Sequence, residues 1–287
     1  MEPSKTAILL SHCPDAKGII HTVTDFVLRN GGNITNLDQH VDHSERHFYM
    51  RMEWDLDGFS IPVDKIDEYF ATLVANKLNM SWDIHFMDRR PRVAVFVSRY
   101  GHCLYDILSR FESQEWAIDI PMIISNHDKF QDLAERFNIP FHHIPITRKT
   151  KVEQEKAQLE LLRRKHIDLI VLARYMQILS PEFTAQYADR IINIHHSTLP
   201  AFAGANPYGA AFARGVKFIG ATSHYVTEDL DAGPIIAQDV IPISHRDSIH
   251  DMKRKGRDIE KVVLAKAVFA HINHKVLSYK NKTVVFE

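Results

Sequence analysis

The sequence predicts an α/β protein of two domains, a ferredoxin-like β-α-β-β-α-β unit followed by a doubly wound, mostly parallel sheet. The first observation is the order of apolar strands and amphipathic helices in residues 6–87, which is that of the ferredoxin-like motif. The second is a change of rhythm after residue 91, where short apolar runs alternate with helical patterns, as in a parallel sheet. The charged segment 88–91 ends in a proline and predicts a linker, so that the expected domains are 1–87 and 92–287.

Composition and charge fit a soluble protein without a polyanionic partner. The chain has 287 residues, 45% of them hydrophobic and 25% charged, with a formal net charge of −1. That balance argues against nucleic acid as a partner. Polar residues near Met1 argue against a secretory signal, and no apolar run approaches the roughly 20 residues of a membrane helix. Two cysteines, Cys13 and Cys103, favour a reducing compartment, so we expect a cytoplasmic protein that does not bind a membrane.

In the first domain, apolar spacing sets each element. Ile19, Val23, Phe26 and Val27 recur at helical intervals, and the helix is expected to end at Asn30–Asn33, which contains two glycines. The predicted elements in order are a strand at 6–10, a helix at 18–29, strands at 34–41 and 47–54, a helix at 63–78 and a strand at 82–87. Such a unit has an exposed sheet face and commonly pairs with a copy of itself.

In the second domain, β-branched runs alternate with helical patterns. The predicted strands are 92–97, 117–125, 141–144, 168–172 and 191–194, and the predicted helices between them are 104–111, 129–137, 152–165 and 181–187. Beyond a loop rich in glycine and proline, we expect a helix at 208–214, strands at 218–226 and 234–241, a long helix at 248–277 and an edge strand at 283–286. There is no internal repeat.

Two polar side chains mark the end of the fifth strand of this domain. Asn193 and His195 lie two residues apart in a strand, so their side chains point to one face, and Leu199-Pro200 then turns the chain away. Ligands of open α/β sheets bind at the carboxyl ends of strands. An amide donor beside an imidazole suits oxyanion stabilisation and proton transfer. The alternative is an asparagine that closes a turn beside a surface histidine, one of 18 in the chain.

A third candidate is Asp231, in the loop between the last two predicted strands of the second domain. Gly233-Pro234 follows it, and apolar chain flanks it, so the carboxylate is expected to be partly buried. A partly buried aspartate near a histidine is suited to proton transfer. The competing chemical interpretation is a zinc site from His195, His196, His224 and Asp231. It is disfavoured because adjacent histidines of a strand point to opposite faces and no H-E-x-x-H motif is present.

The first strand–helix turn of the second domain, residues 98–102, excludes one class of enzyme. Only Gly101 is present where a dinucleotide fingerprint needs three glycines, which argues against a nicotinamide dehydrogenase with a regulatory domain. A Walker A motif is absent as well. Cys103 just beyond the turn is either a nucleophile or a buried cysteine at a helix start, and the second is favoured because no activating partner is nearby in sequence.

These motifs together resemble a known family. N-I-H-x-S-x-L-P at Asn193–Pro200, D-x-G-P-I-I from Asp231 and LARYMQILS at Leu172–Ser180 resemble, over about residues 91–240, the formyltransferase family that uses 10-formyltetrahydrofolate. CPDAKGII from Cys13, NGGNI from Asn30 and residues 39–42 are similar to an ACT regulatory domain. An ACT domain ahead of this core resembles the formyltetrahydrofolate deformylases, and so do GHCLYDIL (101–108) and AFAGANPY (201–208).

The resemblance implies hydrolysis of 10-formyltetrahydrofolate to formate and tetrahydrofolate, within one-carbon metabolism and purine biosynthesis. It implies that Asp231 and His195 handle water and proton transfer and that Asn193 stabilises the oxyanion. No metal and no cofactor beyond the folate substrate is expected. The residues expected to line the folate slot, through their backbone groups, are Arg174, Tyr175, Met176, Gln177, Ile178 and Leu179.

Two other functions stay open. One is a formyltransferase acting on a small amine acceptor, with Arg99 as a clamp for an anionic acceptor. The bulk of Arg99, Tyr100 and His102 disfavours it, because such residues leave no room for a phosphate cradle of backbone amides. The other is a sensor of folate or amino acid without turnover.

The resemblance to ACT domains also implies regulation or assembly through the first domain. We expect a homo-oligomer, dimer or tetramer, in which glycine or methionine binds between two copies at Asn30, Gly31, Gly32 and Asn33. The alternative is a domain that only holds subunits together.

Overall fold

The computed structural model describes residues 6–87, 89–200 and 207–287, and the chain divides into two compact units. The first contains the residues up to Arg90 together with Asn273–Tyr279 and Val284–Glu287. The second contains Pro91–Ile272 and Lys280–Thr283. Residues 201–206, which belong to the AFAGANPY motif, and residue 88 of the predicted linker lie outside the described residues.

The first unit has the predicted β-α-β-β-α-β order. Its elements are β1 (Thr6–Pro14), α1 (Ile19–Arg29), β2 (Asn33–Asp42), β3 (His47–Asp55), a helical segment α2 made of Val63–Lys65, Ile66–Phe70, Ala71–Ala75 and Asn76–Leu78, and β4 (Ser81–Phe86). The strands form an antiparallel sheet in the order β2-β3-β1-β4. Met50, Met52 and Trp54 alternate along β3, so they share one face and are fully buried in a core with Val23 and Phe70.

The C-terminus differs from the predicted ranges. The long helix α8 (Ile249–Ile272) ends five residues before the predicted limit, and a hairpin of β12 (Val276–Tyr279) and β13 (Lys282–Val285) follows. The helix ends where His274 takes a left-handed φ of 50°, and the Arg51 guanidinium binds the carbonyl of His274. Leu277 then packs in a cluster with Tyr49 of the first unit. Apolar spacing over 248–277 did not reveal this break.

The second unit is a seven-stranded sheet between helices, which confirms the predicted doubly wound, mostly parallel fold. The strands are β5 (Arg92–Val97), β6 (Asp119–Ser125), β7 (Phe141–His143), β8 (Leu169–Leu172), β9 (Ile191–His195), β10 (Phe218–Tyr225) and β11 (Ile235–Pro242). The helices before α8 are α3 (His102–Glu112), α4 (Gln131–Arg136), α5 (Lys151–Arg164), α6 (Pro181–Gln186) and α7 (Pro207–Arg214). Strand order is β11-β10-β9-β8-β5-β6-β7, and β10 is antiparallel to both neighbours.

This order places a switch point between β5 and β8. From β5 the chain runs outward through β6 and β7, and then returns to β8 and runs the other way. The loops at the two carboxyl ends diverge at such a point and leave a crevice where ligands bind. Here the loops are joined, because the Ser98 N–H donates to the Arg174 carbonyl and the Met176 N–H donates to the Ser98 hydroxyl. Within the described parts of the chain, no helix is long and apolar enough to cross a membrane.

Candidate active site

Strand β9 presents Asn193 and His195 at its carboxyl end, as predicted. Ile191, Ile192 and Ile194 are buried and fix the strand in the sheet. Parallel pairing with β8 on one side and antiparallel pairing with β10 on the other align the strand, and β10 places His224 directly opposite Asn193.

Asp231 returns to His195 through space, as the sequence predicted. Its Oδ2 lies 3.0 Å from Nδ1 of His195. The loop closes tightly on β10: a Cβ on Gly233 would lie 1.9 Å from the Tyr225 carbonyl oxygen, so only glycine fits there. The hydrogen bond from His195 is the largest influence on the Asp231 carboxyl and holds its pKa well below its usual range. The group is therefore a carboxylate at neutral pH.

The His195 ring is oriented for proton transfer. Its side chain is 6% exposed, and since a carboxylate only accepts, Nδ1 carries the hydrogen that binds Asp231. Nε2 is buried and has no hydrogen-bond partner among the residues of 6–87, 89–200 and 207–287. In the neutral ring this tautomer leaves the lone pair of Nε2 available to a reacting group. The His195 imidazole, with Asp231 bound to one nitrogen and the other nitrogen unpartnered, can act as a general base and can later return the proton.

His224 belongs to the site, although the predicted site residues did not include it. Its side chain is 2% exposed, and its Nδ1 lies 2.8 Å from the Tyr225 carbonyl oxygen, so Nδ1 is the donor. In the neutral ring Nε2 then accepts from the Asn193 amide at 3.3 Å. Nε2 is also 3.7 Å from Asp231 Oδ1. His224 therefore orients the Asn193 carboxamide next to the Asp231–His195 pair.

The alternation of Thr222, His224 and Val226 was visible in the sequence. The antiparallel register that brings His224 to Asn193 was not, because it depends on which strands become neighbours.

His196 lies on another side of the site. Its ring centroid is 5.1 Å from that of His195 and 6.0 Å from that of Tyr208. Burial, with the nearby charges of Arg174 and His195, lowers the pKa of His196 to about 4, so the ring is neutral at pH 7.

The four residues of the zinc alternative are not gathered in the structure. His195 and His224 both contact Asp231, whereas His196 lies near Tyr208. Among the described residues, the group whose metal-ligating atoms lie within 4.8 Å of one another is instead His102, Cys103 and Glu260. An arginine nitrogen lies 3.4 Å from Glu260, and a positive charge so close disfavours a cation there.

The predicted folate segment has both buried and exposed members. Tyr175 and Leu179 are buried in the core of the unit, whereas Met176 is 53% and Ile178 59% exposed. Among the described residues, the backbone groups of Gln177, Ile178 and Leu179 have no hydrogen-bond partner. They are therefore available to a ligand. Arg174 differs from the prediction, since its N–H binds Leu172 and its carbonyl accepts from Ser98.

The first turn and Cys103 are consistent with the favoured interpretations. Cys103 is buried near the start of α3, and burial, together with the charge of Glu260, raises the pKa of its thiol, which disfavours a nucleophilic role. Arg99 is exposed and binds the His127 ring. A Cβ on Gly101 would lie 2.6 Å from the Phe130 ring.

The predicted effector segment has fewer free groups than expected. The N–H groups of Asn30 and Gly32 bind the Val27 carbonyl, and that of Gly31 binds Leu28. These amides cap α1 and are not available to a ligand. A pocket of about 380 Å³ lies at the other end of α1, where Asp15, Gly18, Gln39 and neighbouring residues line it.

The comparisons with known proteins agree on one family. The model of the formyl transferase family matches residues 91–268. Formyltetrahydrofolate deformylase of Synechocystis sp. is 52% identical over 281 residues, which is 98% of each chain. The crystal structure of a formyltetrahydrofolate deformylase from Pseudomonas syringae pv. tomato superposes with a TM-score of 0.96 at 44% identity, covering 100% of this chain and 96% of that one.

A second group of structures shares the catalytic fold. Glycinamide ribonucleotide transformylase 1 from Symbiobacterium toebii superposes with a TM-score of 0.66 at 26% identity, covering 71% of this chain and 98% of that one. The same sheet therefore also occurs in proteins named for an amine acceptor.

Proposed function

The chain belongs to the formyltetrahydrofolate deformylase family, and we propose that Asp231, His195 and Asn193 carry out its hydrolysis of 10-formyltetrahydrofolate to formate and tetrahydrofolate. The observation that supports these roles is the Asp231–His195 pair, 3.0 Å apart, with Nε2 of His195 buried and unpartnered among the described residues. In the neutral ring, Nε2 is a base held in one tautomer by a carboxylate, which is what activation of water requires.

The reaction begins with water between Nε2 of His195 and the formyl carbon. Nε2 takes a proton as the water oxygen attacks the carbon, and the carbonyl electron pair moves to the formyl oxygen. Asp231 stabilises the imidazolium that forms. One role assigned from the sequence changes. Because Asp231 contacts His195 rather than the water, we assign proton acceptance to Nε2 of His195 alone, and Asp231 stabilises the charged ring.

The tetrahedral intermediate then collapses. Asn193, oriented by His224, donates its amide N–H to the oxyanion, and one such donor commonly lowers the barrier by about 3–4 kcal/mol. His195 returns its proton to N10, the C–N10 bond breaks, and tetrahydrofolate and formic acid are released. Formic acid ionises in solution.

The folate ring system binds along 176–179. Met176 and Ile178 provide exposed apolar side chains that pack against a flat ring. The unpartnered N–H and C=O groups of Gln177–Leu179 match the alternating donors and acceptors of a pterin edge. This arrangement supports the predicted slot for the backbone of Gln177–Leu179, whereas the Arg174 backbone and the Met176 N–H are engaged within the chain.

The test is formate release by the purified protein with 10-formyltetrahydrofolate and no amine acceptor. We expect stoichiometric formate and tetrahydrofolate. Tight folate binding without formate would support the sensor alternative, and transfer of the formyl group to an added amine, without formate, would support the transferase alternative.

The proposed reaction uses no metal, because His195 supplies the base and Asn193 the oxyanion donor. We therefore propose that dialysis against a chelator leaves the rate of formate release unchanged. A loss of rate that zinc restores would require a metal in the mechanism.

Assembly and regulation through the first unit are proposals that rest on its ferredoxin-like sheet. A cytoplasmic location is a separate proposal, which rests on the low cysteine content. We propose a homo-oligomer whose rate responds to glycine or methionine. With the amides of the α1 end engaged, the pocket beside Asp15 and Gly18 is the better place to look. Sedimentation and formate release are measured while each amino acid is titrated. A protein that sediments as a monomer, and whose rate responds to neither amino acid, would contradict both the proposed assembly and the proposed regulation.

A further inference from the structure

The crevice between the carboxyl ends of β5 and β8 is filled by side chains of the chain itself. Five residues from four parts of the second unit meet there, and we call them the plug: Tyr100, His102, Arg174, Tyr208 and Glu260. In open α/β sheets this crevice ordinarily admits a ligand. The plug therefore needs an explanation beyond packing.

Glu260 of α8 is the centre of the plug. Its side chain is 2% exposed. It accepts from Nε2 of His102 at 2.8 Å and from the hydroxyl of Tyr208 at 3.0 Å, and Nε of Arg174 lies 3.4 Å away. Burial by itself raises the pKa of Glu260, but the hydrogen bond from His102 and the charge of Arg174 hold it below the usual value. The group is a buried carboxylate with three partners.

Arg174 occupies a position that favours glycine. Its φ is 62°, a left-handed conformation that costs an ordinary residue about 1 kcal/mol. Its side chain is only 10% exposed, and the guanidinium lies 5.7 Å from the centre of the Tyr100 ring. A long cationic side chain at this backbone conformation fills space that a glycine would leave open.

The remaining contacts show that the plug is closely packed. A Cβ on Gly256 would lie 1.9 Å from the Tyr208 hydroxyl oxygen, so α8 carries a glycine where the ring enters. Cys103, 1% exposed, lies within reach of His102 and Glu260.

The plug adjoins the reacting centre. The Tyr208 ring is 6.0 Å from the ring of His196, which in turn is 5.1 Å from that of His195. An amine acceptor must bring its nitrogen beside the formyl carbon near His195 and must also find room for the rest of its molecule. Water needs only to reach the formyl carbon.

We propose that the Arg174–Glu260 pair determines nucleophile specificity by filling the space in which an amine acceptor would lie, so that water alone reaches the formyl group. This inference rests on the proposed function. It also accounts for how one sheet occurs both in deformylases and in a transformylase named for glycinamide ribonucleotide. Specificity here comes from excluding a competitor rather than from binding water more tightly.

The test measures how the formyl group divides between water and glycinamide. The doubly substituted R174G/E260Q opens the crevice without leaving a buried carboxylate unpaired. The matched control R174M/E260Q removes the same charges but keeps the bulk. Formate and N-formylglycinamide are quantified for both variants and for the unmodified protein, with folding checked by circular dichroism.

We expect the unmodified protein and R174M/E260Q to yield formate, and R174G/E260Q to divert at least about tenfold more formyl to glycinamide. Equal partition in the three folded proteins overturns the inference, as does ready formylation of glycinamide by the unmodified protein. If R174G/E260Q does not fold, Y100A, which removes the outer wall of the plug, takes its place with the same criteria. Absence of formate from the unmodified protein would instead contradict the proposed function.

Discussion

Nδ1 of His195 and Oδ2 of Asp231 are 3.0 Å apart, although 35 residues of chain separate them. The pairing fixes which nitrogen of His195 carries a hydrogen and leaves Nε2 as the base. It also explains why Asp231 stays ionised, since the hydrogen bond from His195 favours the charged form. The chemistry of the site depends on this one contact.

Replacing Asn193 with alanine is expected to lower kcat far more than it raises KM. The carboxamide donates to an oxyanion that exists only after attack, so the loss falls on the transition state. We expect a decrease of about 10²-fold or more in kcat, measured by formate release over a range of substrate concentrations. A change confined to KM would make Asn193 a residue of ground-state binding.

His224 is expected to act through Asn193, and two substitutions separate its two ring nitrogens. A glutamine places its amide near the position of Nε2 and can still contact Asn193, whereas an asparagine mimics Nδ1 and can bind only the Tyr225 carbonyl. We therefore expect H224N to lose more kcat than H224Q, while thermal unfolding shows H224N to be the more stable. A residue that only filled the core would give the same order for stability and for kcat.

His196 is expected to make stability depend on pH in a defined window. The pKa of His196 is about 4 in the folded protein, against 6.5 for an ordinary histidine, so the unfolded chain binds the proton first as the pH falls. The resulting stability is present above pH 6.5 and is lost between pH 6.5 and 4, by at most about 3.5 kcal/mol at 1.4 kcal/mol per pH unit.

The variant H196Q should lack this loss. Its free energy of unfolding, from urea titrations at several pH values, should therefore fall less steeply than that of the unmodified protein over the same window. H245Q, at an exposed position, is the control and should keep the original slope. Parallel slopes for H196Q and the unmodified protein would contradict the lowered pKa of His196.

Local patterns predicted most of the fold and part of the site. β-Branched runs set β5 and β9, and the asparagine and histidine two residues apart correctly predicted the face that Asn193 and His195 share. The break after Ile272 was missed because the helical spacing continues beyond it, and the hairpin is fixed by contacts with Tyr49 instead.

The partners of the site could not be predicted in the same way. His224 and Glu260 lie 31 and 158 residues from Asn193 and His102, the side chains that they bind. Each contact depends on which strands and helices become neighbours, and a single sequence contains no direct signal of that. Asp231 was found from the sequence because Gly233-Pro234 marks a constrained loop.

The most direct test of the Asp231–His195 pair is formate release by D231N at saturating 10-formyltetrahydrofolate. Asparagine keeps the shape but cannot stabilise the imidazolium, so we expect kcat to fall at least about 10²-fold with folate binding retained. D229N changes an exposed carboxylate of the same loop and should release formate at the unmodified rate. If D231N released formate as fast as D229N, Asp231 would have no part in the reaction and the proposed mechanism would be wrong.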